Sequence, residues 1–150
     1  MTSAVAEAHR VLHAGGLLLD IHPTDEPSTL EVWYAIARDG AKQVTAENLE
    51  AVQRTPLGPL QHDPDIRRDF TCATDALVDA LDVLFDLAAS RTFEYQYFFD
   101  SLDELTDYLE DNHEHARASD ELLEQAAVVM RRAPTPPKLV IIQRTLVTAL

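Results

Sequence analysis

Gly15 and Gly16 stand between a helical pattern and a run of leucines, and that junction constrains the fold more than any other stretch. Upstream, Val5, Ala8 and Leu12 recur at helical spacing with Val11 beside them, and Ser3 is placed to cap. A helix is therefore expected over 4–14. Glycine enters the left-handed conformation that ends a helix at little cost, where a β-carbon would resist it. Leu17-Leu18-Leu19-Asp20-Ile21-His22 follows at once, and Pro23 closes it. A continuous apolar run directly after a helix predicts a buried parallel strand. Such a chain has to stack helices on a sheet.

The rest of the sequence repeats that alternation. Strand formers Val32, Trp33, Tyr34 and Ile36 predict a strand over 30–37. Asp39-Gly40 supplies a tight turn and 41–44 the return strand of a hairpin. Thr45 then caps a short helix over 46–54, and 55–65 reads as loop from its prolines, Gly58 and Asp63. A long helix is expected over 73–89, with Ala76, Leu77, Ala80, Leu81, Leu84 and Ala88 inward. Asp75, Asp79, Asp82 and Asp86 form its solvated face. Phe93, Tyr95, Tyr97 and Phe99 alternate as the aromatic core face of a strand. Ser101-Leu102-Asp103-Glu104 is a capping box opening one helix, and Ser119 caps another through 132. Pro134, Pro136 and Pro137 stop it, and the 138–150 stretch is a strand around Leu139, Val140, Ile141 and Ile142. This order predicts an α/β fold with a mixed sheet between helices, a three-layer arrangement.

Bulk properties narrow the partners. At 150 residues the chain fits a single domain over 1–150. The 26 acidic residues outnumber 12 basic ones, for a net charge of −14. A surface of that sign repels phosphate backbones and anionic headgroups, so neither nucleic acid nor membrane is an expected partner. Its apolar runs are too short to span a bilayer. The lone Cys72 cannot form an internal disulfide, and the first residues lack the basic start of a secretory leader, so a cytoplasmic location is expected.

The stretch Glu7-Ala8-His9-Arg10-Val11-Leu12-His13-Ala14-Gly15-Gly16-Leu17-Leu18-Leu19-Asp20 resembles the late part of class I S-adenosylmethionine-dependent methyltransferases. In that family a similar helix–Gly-Gly–strand step joins the fourth helix to the fifth strand. The segment Phe98-Phe99-Asp100-Ser101-Leu102-Asp103-Glu104-Leu105 is similar to the step after the family's sixth strand. By that resemblance the 92–99 and 138–150 strands are its closing antiparallel pair, and the layout is the C-terminal half of a Rossmann-like methyltransferase. Ala14 stands where the family usually has proline, and the hairpin is an insertion. The family's cofactor rests on a glycine-rich loop after its first strand. Here Gly15, Gly16, Gly40 and Gly58 form no Gly-x-Gly loop, and no cofactor-contacting residue carries over.

The resemblance thus implies a methyltransferase-like domain without independent catalysis, acting as an interaction or regulatory module. S-adenosylmethionine enters only if another segment or chain completes the fold, in which case the whole would be an enzyme. A small-molecule binding domain using a crevice between His22, Trp33 and Gln61 is the third alternative. The 17–22 strand, lacking lysine or proline inside it, is expected to need cover, from the hairpin, a second copy or another protein.

His22 is the first substrate-binding candidate, since open α/β sheets place ligands at the carboxyl ends of their strands. Asp20 shares that strand, and Trp33 with Tyr34 are candidates for an aromatic wall or for packed core. His9 with His13, and His113-Glu114-His115, have spacings a metal uses but no third ligand, so no metal is expected. Cys72, expected just before a helix, is a candidate thiolate or a buried thiol. No catalytic residue is assigned.

Overall fold

A computed structural model of the chain describes residues 2–36, 44, 52–81, 83–112 and 116–150. The Asp39–Gly40 turn, most of the expected return strand, the 46–51 part of the short helix, Asp82 and His113 to His115 lie outside them. The chain falls into two compact units, each assembled from separated stretches. Residues 1–26, 63–95 and 143–150 form the first, and 27–62 with 96–142 the second.

The described helices are α1 (Thr2–Val11), α2 (Pro64–Ala80), α3 (Leu102–Asn112) and α4 (Asp120–Arg132). The strands are β1 (Leu19–Pro23), β2 (Thr29–Ala35), β3 (Val52–Pro59), β4 (Gln61–His62), β5 (Ala89–Phe99), β6 (Ala116–Arg117) and β7 (Lys138–Ala149). The fold is mixed α/β with an open sheet, and the pairings of β1 with β7, β2 with β7 and β2 with β3 are antiparallel. The expected parallel strand at 17–22 is therefore corrected. Its apolar run arises from another cause, described with the candidate site.

In the first unit, α1 stops at Val11, short of the expected 14. The Arg10 guanidinium, bonded to Glu7 at 2.8 and 2.6 Å, holds that exposed carboxyl below the usual carboxylate range. A tight turn follows, in which Gly16 N donates to His13 O at 2.8 Å and Gly15 takes φ +75°. That is the residue-three geometry of a type II turn, which favours glycine. A β-carbon on Gly16 would meet His13 O at 2.9 Å, so both glycines are required locally.

Helix α2 begins nine residues before the sequence expectation and ends at Ala80. Asp63 caps it by accepting from Asp65 N at 2.8 Å, with Pro64 in the first turn. Proline there lacks only an N–H that no helix partner would take. The same Asp-Pro pair signals a loop when read alone and a helix start once the helix follows it. Leu81 turns extended, its N–H bonding Leu77 O at 3.1 Å, and Ala76, Leu77 and Ala80 are the buried residues.

The second unit holds the core. Leu30 pairs with Ile141 and Val32 with Leu139, which puts these four on one face of the β2–β7 ladder. They pack with Leu60, Phe99, Leu105, Leu109, Leu122 and Ala126. The opposite face carries Trp33, Val140 and Ile142, packed with Val44 and Val52. Apolar cover on both faces explains the unbroken Leu139–Ile142 run, although the strand is antiparallel.

Residues 52–54, expected as helix, belong to β3, and the prolines at 56 and 59 lie in that strand rather than a loop. Among the described residues β3 pairs with β2 alone, and an edge tolerates prolines because an outward N–H is not needed. A register shift between Leu30 and Glu31 absorbs one extra residue of β3. The capping box at Ser101 is present: Ser101 Oγ accepts from Glu104 N at 3.1 Å, while Glu104 Oε2 accepts from Asp100 N at 2.6 Å. Ser119 Oγ accepts from Leu122 N at 3.2 Å and opens α4 as expected.

Candidate functional site

Among the described residues β1 is bonded along one side, to β7. Leu18 and Leu150 exchange both backbone hydrogen bonds at 2.9 Å, and Thr24 N donates to Arg144 O at 2.9 Å. Between these points Leu19 faces Ala149 and His22 faces Leu146. Antiparallel pairing alternates, so residues 18, 20, 22 and 24 direct their backbone groups at β7. Leu19 and Ile21 direct theirs the other way, toward an edge that pairs with no strand among the described residues.

The side chains divide with the same parity. Leu17, Leu19 and Ile21 are 62%, 55% and 57% exposed, whereas His22 is only 9% exposed. The strand was expected to be buried, and this is a correction. The leucine run keeps its apolar outward face without any described element of its own unit covering it. Exposed Phe93 and Tyr95 of β5 likewise correct the expected aromatic core face, of which Phe99 is buried and Tyr97 partly so.

On the inward face, His22 joins a line of polar groups. Its Nδ1 bonds the Asp20 carboxylate, and its Nε2 lies 3.1 Å from Thr74 Oγ1 on α2. Thr74 Oγ1 in turn donates to Phe70 O at 3.2 Å. Carboxylate, imidazole and hydroxyl thus stand in a row, with the carboxylate fixing Nδ1–H. In the neutral ring Nε2 is an acceptor, and the one Thr74 proton is shared between it and Phe70 O. The arrangement ties β1 to α2. Both ring nitrogens are occupied and the ring is turned onto the helix.

Trp33 and Tyr34 belong to the second unit. Trp33 is fully buried, its Nε1 donating to Glu31 Oε2 at 2.6 Å, with the Arg54 guanidinium 4.0 Å above its ring. Phe98 meets the same ring edge-on at 5.6 Å. Tyr34 is packed against the Leu30–Ile141 cluster. Gln61 lies in β4, and the neighbouring His62 accepts from Ser28 N at 3.2 Å.

Three other sequence candidates change character. His13 falls beyond the end of α1, so it and His9 do not share a helix face, and the His9 ring packs against Phe85 at 5.2 Å. Cys72 is exposed in the middle of α2, away from the helix N-terminus that would favour thiolate. Among the described residues no group of three potential ligands is placed to hold a metal, and no helix is long and apolar enough to cross a membrane.

Thr74 is the site residue that sequence reasoning missed. Its signal was a hydroxyl three residues before buried Leu77, on the inward stripe of a helix. The second unit has a cleft of about 610 Å³ lined by Thr106, Leu109, Glu110, Arg117, Asp120 and Leu123, none of them a site candidate from the sequence. No protein-family model, curated protein or solved structure matches the chain.

Proposed function

We propose that this chain is a methyltransferase-like module that acts by association and has no catalysis of its own. The observation that carries the reading is the open β1 edge, with Leu17, Leu19 and Ile21 more than half exposed beside it. An unpaired strand edge with aliphatic side chains is a template for a further strand. β1 carries no lysine and its one proline, Pro23, stands at the end, so the stretch from Leu19 to Ile21 is left open. The Asp20–His22–Thr74 line supports the same reading, because it holds the strand against α2 while leaving its outer edge free.

A second reading has its own support. β5 pairs with β7, as the resemblance implies for the closing strands of a methyltransferase. In that reading another segment lays a strand on β1 and brings the glycine-rich loop that S-adenosylmethionine needs. His22 and Asp20 would then stand near the substrate side, and chemistry would come from positioning a nucleophile against the sulfonium.

Calorimetric titration with S-adenosylhomocysteine separates the two at this chain. The association reading expects no binding heat. Micromolar binding would overturn it and give the lead to an enzyme with cofactor contacts of a different kind.

A further inference from the structure

We propose that β1 pairs with the β1 of a second copy, antiparallel, about a two-fold axis at Leu19. This rests on the association reading above and names its partner. A two-fold pairing of a strand with itself is fixed by the residue at its centre, so the choices are few and can be compared.

Centred on Leu19, Leu19 faces its own copy and Ile21 faces Leu17 in both directions. Leu19 and Ile21 direct their backbone groups outward, and the proposed ladder extends that alternation one step to Leu17, so that each pair exchanges both bonds. Leucine then meets leucine and isoleucine meets leucine along the exposed face, which are favourable cross-strand contacts. On the inward face Asp20 stands opposite Leu18, not opposite another carboxylate.

The neighbouring registers are each worse for a stated reason. Centring on Asp20 sets two carboxylates directly across from each other, a repulsive pair. Centring on Ile21 sets Pro23 opposite Leu19, and proline has no N–H to give. Centring on Leu18 sets Ile21 against Gly15, inside the turn, and leaves it no apolar partner. The Gly15–Gly16 turn and Pro23 therefore bound the ladder at its two ends.

The strength follows from area and charge. A ladder this short falls below the ~1,200–2,000 Å² of a stable interface, so the dimer is weak and concentration-dependent. Each copy carries −14, and repulsion between copies is screened by salt. Association should therefore tighten as salt rises, the opposite of what a cationic partner would show.

Sedimentation velocity across a concentration series, at low and high salt, provides the test, with Leu17→Glu, Ile21→Lys and the double variant beside the wild type. Both positions are exposed, and circular dichroism confirms that each variant is folded. The wild type is expected to dimerise reversibly, more tightly in salt, and each single variant to bind roughly tenfold more weakly. The double variant should recover, because the register makes both 17–21 contacts into opposite-charge pairs. A dimer indifferent to these changes, or a double variant no better than the singles, would overturn the register. A monomer at every concentration overturns the second copy. In that case fast amide exchange at Leu19 and Ile21 would leave the association reading standing with another partner, and slow exchange would remove both.

Discussion

His22 is held at both ring nitrogens, and that decides what its loss should do. Replacing it with alanine leaves the Asp20 carboxylate and the Thr74 hydroxyl without their shared partner, next to a hole. A cost of about 1–3 kcal/mol is expected by urea denaturation. Thr74→Val keeps the shape and removes only the hydroxyl, and should cost about 1 kcal/mol. A loss below the measurement error for both would mean that the line is not a clasp. The sequence showed Asp20 and His22 on one strand, two residues apart and so on one face. It could not show Thr74, because the contact spans 52 positions and is set by how α2 lies on β1. Trp33 was legible as a large aromatic in a strand. Its burial is not local: Val52, Val140 and Ile142 pack beside it and Arg54 and Phe98 meet its ring, all from other strands.

At the scale of elements, the signals that work locally were the ones that could be read. Ser101 with Glu104, and Ser119, are caps in the chain as in the structure, because a cap is settled within a few residues. Ser119→Ala should lower stability by about 1 kcal/mol, read as a shift in the urea midpoint with an unchanged slope. No shift would imply that α4 is held by its packing alone. Pairing direction was not legible. Leu139 to Ile142 and Leu17 to Leu19 are both unbroken apolar runs, yet the first is covered on both faces and the second on one. An apolar run states that no polar residue interrupts it, and it leaves open which face has a neighbour. The prolines of β3 misled for a related reason, since an edge position removes the penalty they would carry inside a sheet.

At the scale of the whole molecule, burial is uneven. The large side chains sealed from solvent, Trp33, Leu30, Leu105, Leu139, Ile141, Val32 and Val140, all lie in the second unit. The first unit buries mainly small or polar residues, among them Ala76, Ala80, Thr145 and Thr148, and exposes Leu17, Leu19, Ile21, Val78, Val83 and Leu87. A unit built in this way has an apolar surface that asks for a neighbour. Its open strand is the central claim, and amide hydrogen exchange resolved residue by residue in dilute solution tests it most directly. An alternation along β1 is expected: slow exchange at Leu18, Asp20 and His22, whose groups face β7, and fast exchange at Leu19 and Ile21. Equal protection at all five amides in a dilute monomer would contradict it, because the outer edge would then be covered within the chain.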